Sequence, residues 1–301
     1  MTFKILICDK IAEEGINLLK EKGYEITRAW TIPKTELPKI AGKYDAFIVR
    51  SATKIKSSLL ANAKKLHVIG RAGEGLDNID LAKARDLGIV VVNTPHVSHV
   101  SVAELTIGHL IALARSIVEG TQSLRQGKWI KDKLTGVEIN GKKLGIIGCG
   151  YIGKAVERIA MSLGMRVLVV DECIFDRFVP LDDMLPQSDF ISIHVPLTPQ
   201  TWHLISAKEF NMMKNGVMII DCSRGGVVDQ EALYQALVSG KVKGAAVDVF
   251  EEEPPRKSKL LTLRNVIATP HIGAQTIEAQ LRTSIQIAEK VIKALEETEM
   301  K

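Results

Sequence analysis

Short apolar runs of three to six residues alternate with stretches of helical periodicity along nearly the whole chain. In the first third the strand-like runs fall at 5–8, 46–50, 67–69 and 90–92, with helical patterns near 11–21, 57–65 and 80–86 between them. A second series falls at 144–147, 167–170, 190–195, 217–222, 244–249 and 265–268. Alternation of this kind predicts an α/β fold of two doubly wound sheets with parallel strands. Between the two series lies one long helical candidate, roughly 98–126, with apolar positions at Val102, Leu105, Leu110, Leu113, Ile117 and Leu124. A last amphipathic helix is predicted over about 275–297.

The run 144–147 meets Gly148-Cys149-Gly150-Tyr151-Ile152-Gly153, and the next strand-like run ends in Asp171. This is G-x-G-x-x-G with a strand before it, a helix after it and an acid 18 residues beyond its last glycine. Gly148 lets the chain turn off the strand, and Gly150 lets a pyrophosphate approach the helix N-terminus, where free N–H groups hold anions. Gly153 lets the helix pack close to the sheet, and Asp171 is placed to meet ribose hydroxyls. The four features together predict a dinucleotide site. Asp171 would repel a 2′-phosphate, which favours NAD over NADP. Because the fingerprint sits in mid-chain, the nucleotide domain cannot begin at the N-terminus. The expected division is a split outer domain, 1–94 plus 276–301, with a nucleotide domain, 95–275, inserted in it.

With 301 residues, 46% of them hydrophobic and 25% charged, the chain has the composition of an ordinary globular protein of about two domains. Its net charge of +5 comes from scattered basic residues, which suits a small anionic substrate and suggests no nucleic-acid surface. Cys8, Cys149, Cys173 and Cys222 are far apart and form no C-x-x-C pair, so reduced thiols and a cytoplasmic location are expected. The N-terminus has no signal-peptide layout, and charged or His residues interrupt the apolar stretches short of a membrane span. His96 and His99 are spaced i, i+3 but lack a third ligand at useful spacing, so no metal site is expected.

Three residues past the fingerprint carry candidate chemistry. Arg224 lies in Cys222-Ser223-Arg224-Gly225-Gly226, Glu253 follows Asp248-Val249-Phe250, and His271 sits in Thr269-Pro270-His271-Ile272-Gly273. Each comes just past a strand-like run, and ligands of doubly wound sheets bind outside the carboxyl ends of strands. An Arg can clamp a carboxylate and polarise a carbonyl. A His can exchange the hydroxyl proton, and a carboxylate can hold its imidazole in one tautomer. These are the parts an oxidoreductase for 2-hydroxy acids requires.

The same segments, with Val49-Arg50-Ser51-Ala52-Thr53-Lys54, Gly70-Arg71-Ala72-Gly73-Glu74-Gly75-Leu76-Asp77-Asn78 and His194-Val195-Pro196-Leu197-Thr198, resemble the D-isomer-specific 2-hydroxyacid dehydrogenases over essentially the whole chain. The resemblance implies a Rossmann nucleotide domain inserted in a split, flavodoxin-like substrate domain, with NAD as cofactor and a homodimer as the assembly. It implies Arg224, Glu253 and His271 as catalytic residues. Tyr151, Ile152, His194, Val195, Pro196, Thr198, Cys222, Ser223, Asp248 and Gly273 join Gly148, Gly150, Gly153 and Asp171 around the cofactor by the same resemblance. Arg50, Ser51, Arg71, Ala72, Gly73 and Lys131 would meet the substrate, Lys131 standing where relatives often have Arg. Within the family the chain looks most like the members that oxidise a phosphorylated glyceric acid for serine synthesis. Reductases of smaller 2-keto acids are the alternative, and an NAD-sensing corepressor-like scaffold is a more distant one.

Three departures from the family pattern carry expectations. Glu74 replaces an expected Thr and brings a carboxylate near an anion site. The interval from Asp171 to Asp189 is short, which should reshape the adenine side of the pocket. The chain ends soon after its last helix, so the serine-sensing domains of many relatives are not expected.

Overall fold

A computed structural model of the protein describes residues 2–171 and 179–299. They form two compact units, residues 2–98 with 275–299, and residues 99–171 with 179–274. In the first unit β1 (Lys4–Ile7), β2 (Glu25–Arg28), β3 (Ala46–Val49), β4 (Val68–Arg71) and β5 (Val90–Asn93) make one parallel sheet. Its order, β2-β1-β3-β4-β5, is the flavodoxin-like one. β3 is buried at every position, as a strand covered on both faces must be, and this is why it reads as a plain apolar run. β2 is different. Its Glu-Ile-Thr-Arg sequence lies at the sheet edge with both ends exposed, and the apolar pattern does not predict it. Helices α1 (Glu13–Glu21), α2 (Leu37–Ile40), α3 (Ser57–Leu60) and α4 (Leu81–Asp86) connect the strands. Asp80 caps α4 by accepting the N–H of Lys83.

The second unit opens with α5 (His99–Ala114) and α6 (Ile117–Arg125), where the sequence predicts one continuous helix. The two are bent by 65°. Ser116 sits in the left-handed region at φ 51°. The Ala114 carbonyl accepts the Val137 N–H at 2.9 Å. Gly136 runs so close that a Cβ there would lie 2.4 Å from that oxygen. A distant segment therefore takes over the last carbonyl of α5, which no periodicity in 98–126 can reveal. Among the described residues no single helix is long and apolar enough to cross a membrane.

The remaining strands are β6 (Lys143–Ile147), β7 (Arg166–Val170), β8 (Phe190–Ile193), β9 (Val217–Asp221), β10 (Val242–Val247) and β11 (Val266–Ala268). They form a parallel sheet in the order β11-β10-β9-β8-β6-β7. Helices α7 (Tyr151–Ser162), α8 (Leu181–Met184), α9 (Ala207–Met212) and α10 (Gln230–Val238) lie between strands in sequence. The chain leaves β6 toward β7 and then returns to the other side of β6 with β8. The end of β6 is thus the topological switch point where a doubly wound sheet binds its ligand. The expected reshaping beyond Asp171, and Cys173 with it, falls at 172–178, outside the described residues.

The last helix, α11 (Ile277–Glu299), belongs to the first unit and buries Ile287, Val291 and Leu295 there. Gly15 of α1 meets it so closely that a Cβ would lie 2.3 Å from the Ser284 carbonyl oxygen. The Ser284 hydroxyl accepts the N–H of Ala12 at 2.9 Å.

Candidate active site

At the switch point Gly148 follows β6, and its φ of 89° suits a residue without a side chain. A Cβ on Gly153 would lie 2.2 Å from the Gly148 carbonyl oxygen, so the third glycine holds α7 against the loop. The Cβ direction of Gly150 meets nothing within 4 Å, and Gly150 caps α7 with no side-chain hydrogen bond. First-turn N–H groups with open space before them form an anion cradle. Asp171, one residue past β7, accepts the Cys149 N–H and so sits at the same loop.

His194 follows β8. Its Nδ1 is buried with no hydrogen-bond partner among the described residues, while Nε2 lies 3.2 Å from the Ser192 hydroxyl. Burial pushes its pKa down to about 3, which keeps the ring neutral. Val195 packs against Gly148, where a Cβ would meet it at 2.8 Å. Thr198 closes a turn with Thr201, its N–H donating to the Thr201 hydroxyl at 2.7 Å. A cradle that a side chain would fill, an acid beside it and an orphaned buried nitrogen together fit a dinucleotide.

Arg224, Glu253 and His271 leave the C-terminal ends of the neighbouring strands β9, β10 and β11. The His271 Nδ1 lies 2.9 and 3.0 Å from the two oxygens of Glu253. Burial pushes the Glu253 carboxyl up, but the His271 hydrogen bond and charge, the Phe250 N–H and Arg224 outweigh it and hold it below its ordinary value. Gly225 runs against the Glu253 loop, where a Cβ would lie 1.9 Å from the Phe250 oxygen. That approach brings the Arg224 loop beside the Glu253 loop. Arg224 donates from Nη1 to the Ser223 carbonyl at 2.8 Å.

His271 has φ 53°, a left-handed conformation that a non-glycine residue adopts only when its surroundings impose it. Asp248 imposes it. This buried carboxylate accepts the Thr269 hydroxyl (2.6 Å), the Ile272 N–H (2.8 Å) and the Gly273 N–H (2.8 Å). The Ser101 hydroxyl donates to the Gly273 carbonyl at 2.6 Å. Asp221 ends β9 beneath Cys222 and accepts both the N–H and the hydroxyl of Ser223. Neither Asp221 nor Ser101 stands out in the sequence. A further arrangement not anticipated is His203, whose ring nitrogens face Asp229 at 3.7 Å and Glu251 at 3.3 Å. Each nitrogen faces its own carboxylate, so the imidazole bridges two loops.

In the first unit Arg50 and Arg71 stand at the ends of the adjacent strands β3 and β4, with Ser51 and Ala72 next to them. The Arg71 guanidinium folds across Gly73, which has no side chain to obstruct it. Glu74, the unexpected acid, faces His96 Nδ1 at 3.6 Å. Lys131 opens an exposed 3-10 turn, Lys131–Lys133, in the second unit. The neighbouring Lys133 lines a recess with Met218, Gly244 and Asn265 at the N-terminal ends of β9 to β11. Within its unit Lys131 therefore belongs to the edge opposite Arg224, Glu253 and His271.

Comparison with known proteins agrees with this geometry. Residues 107–273 match the D-isomer specific 2-hydroxyacid dehydrogenase NAD binding domain. A D-3-phosphoglycerate dehydrogenase of Methanocaldococcus jannaschii is 44% identical over 97% of this chain and 57% of its own length. A hydroxypyruvate reductase of Thermotoga maritima is 46% identical over 97% of this chain and 98% of its own. A solved structure of a Thermus thermophilus protein superposes with a TM-score of 0.89 at 34% identity, covering 97% of each chain. The chain belongs to the D-isomer-specific 2-hydroxyacid dehydrogenases, and its nucleotide is NAD. It spans little more than half the length of the phosphoglycerate dehydrogenases it matches.

Proposed function

We propose that the protein interconverts 3-phospho-D-glycerate and 3-phosphohydroxypyruvate, the oxidation that opens phosphorylated serine synthesis. The observation that carries the chemistry is the His271–Glu253 pair beside Arg224. Bound NAD supplies the hydride acceptor for C2, and Gly148, Gly150, Tyr151, Ile152, Gly153 and Asp171 would hold it. His194, Val195, Pro196, Thr198, Cys222, Ser223, Asp248 and Gly273 would shape its remaining surroundings. With Nδ1 held by Glu253, His271 keeps Nε2 for the substrate. That nitrogen takes the C2 hydroxyl proton in the oxidative direction and returns it in the reductive one. Glu253 stabilises the imidazolium so formed. Arg224 clamps the substrate carboxylate and polarises the C2 oxygen.

The choice of a phosphorylated acid rests on Arg50 and Arg71, with Ser51, Ala72 and Gly73 beside them, and on the phosphoglycerate dehydrogenase relatives. Lys131 would add charge if a second copy presents it. A homodimer is the assembly we infer, since Ile117, Leu124 and Trp129 are 50, 60 and 81% exposed along α6 and the segment after it. A cytoplasmic enzyme without nucleic-acid or membrane partners completes the reading.

A second reading, reduction of unphosphorylated hydroxypyruvate or glyoxylate, has an observation of its own. The hydroxypyruvate reductase relative matches this chain end to end. NADH oxidation followed at 340 nm with 3-phosphohydroxypyruvate, hydroxypyruvate and glyoxylate separates the two. A preference of about tenfold or more in kcat/KM for the phosphorylated acid, about 1.4 kcal/mol, is expected. Equal or better rates with the other two acids would overturn the phosphoglycerate assignment and keep the dehydrogenase.

A further inference from the structure

The four-residue loop 50–53, which leaves β3 with Arg50 at its head, is held from both chemical sides by side chains remote in sequence. Asp9, 6% exposed just past β1, accepts the N–H groups of Arg50 (2.7 Å) and Thr53 (3.0 Å) and the Thr53 hydroxyl (2.7 Å). From the other side the Asn78 amide donates to the carbonyls of the same two residues, Arg50 at 2.7 Å and Thr53 at 2.6 Å. Lys34 closes the arrangement. Its ammonium donates to Asp9 Oδ1 (2.8 Å), the Thr53 hydroxyl (2.6 Å) and the Cys8 carbonyl (2.6 Å).

Hydrophobic packing has no need of this cluster. Ser51 and Ala52, at the tip of the loop, are exposed, and Arg50 is half-buried. Taking a carboxylate out of water is costly unless several donors meet it. Burial pushes Asp9 up, but the bonds from Lys34, Thr53 and Arg50 outweigh it and keep it ionised. The cluster fixes both backbone polar groups of Arg50, and with them the direction of its side chain. The guanidinium then donates from Nη2 to Gln275. A functional cation must be held to within a fraction of an ångström to be useful, and groups behind it commonly do this.

We propose that Asp9, Asn78 and Lys34 form a positioning clasp that presents Arg50 to the anionic group of the substrate. They act through the loop and do not themselves touch substrate. The proposal rests on the reading above that Arg50 binds substrate, and the test separates the two.

Asp9→Asn and Asn78→Ala are made in the full chain, each alone and in an Arg50→Ala background. KM and kcat are read with whichever keto acid the enzyme turns over faster, alongside NADH affinity and Tm. Each clasp variant alone should raise KM about tenfold, leave kcat within about threefold and leave NADH binding unchanged. In the Arg50→Ala background the same substitutions should add less than about twofold, because the group they position is already gone. Factors that multiply in that background, or a loss in kcat without one in KM, overturn the clasp and leave the Arg50 reading standing. An Arg50→Ala enzyme with unchanged KM overturns the Arg50 reading and the clasp with it. Should Asp9→Asn fail to fold, Asn78→Ala, which buries no unpaired charge, carries the same comparison.

Discussion

Replacing Asp221 by Asn should make the protein more stable, and only above a definable pH. The side chain is 3% exposed at the end of β9. Burial, with the nearby Asp248 charge adding to it, pushes its pKa from 3.8 up to about 6, against the two Ser223 hydrogen bonds and Arg224. The folded state therefore keeps a proton that the unfolded chain gives up at lower pH. A group raised in this way stabilises the fold below its unfolded value and progressively less as pH climbs to its folded one. The shift is about 2 units, so at about 1.4 kcal/mol per unit the loss approaches 3 kcal/mol above pH 6. Asn keeps the acceptor that Ser223 uses and carries no charge to desolvate. Urea unfolding followed by circular dichroism at pH 4.5 and 7.5 gives the answer. The variant should exceed wild type by up to about 3 kcal/mol at pH 7.5 and by well under half of that at pH 4.5. A gain independent of pH, or a loss confined to pH 7.5, would refute the reasoning, since either would mean that desolvation of the carboxylate is not what the fold bears at this position.

Other consequences are simpler to state. His271→Asn should lower kcat by about 10²-fold or more, the usual worth of a positioned acid–base, while the NADH dissociation constant from fluorescence titration stays within about twofold; unchanged turnover would remove His271 from the reaction. Gly153→Ala places a methyl 2.2 Å from the Gly148 carbonyl oxygen. It should therefore push α7 off the loop and weaken NADH binding by at least about tenfold in the same titration.

The strands most legible in the sequence are those buried on both faces. Ala46–Val49 and Phe190–Ile193 are buried at every position, and strands covered on both faces read as near-continuous apolar runs, Ser192 being the one polar position in the two. β2 escaped because an edge strand satisfies its surroundings with Glu25 and Arg28 at its ends. The break between α5 and α6 escaped for another reason: the segment that takes the Ala114 carbonyl, at Gly136 and Val137, lies outside the helical pattern. The candidate catalytic residues were legible because each stands just past a strand, where a doubly wound fold exposes its ligands. The supports of the Arg50 loop were not. Asp9, Lys34 and Asn78 acquire meaning only when positions 9, 34, 50–53 and 78 meet, and no local spacing encodes that meeting.

One device recurs in both units and links fold to site. Asp9 ends β1 and takes N–H groups from the loop that leaves β3, its neighbour in the sheet. Asp171 ends β7 and takes the Cys149 N–H from the loop that leaves the adjacent β6. Asp248 ends β10 and takes the Ile272 and Gly273 N–H groups past the adjacent β11. Loops at the carboxyl ends of parallel strands strand their N–H groups, and a carboxylate answers several of them at once with charge-assisted bonds. Each loop so held carries a residue assigned to substrate or cofactor: Arg50, Gly150 and His271. The hydrogen bonds of these aspartates make them fixtures of the loops, and in each unit the candidate residue so held belongs to the neighbouring strand.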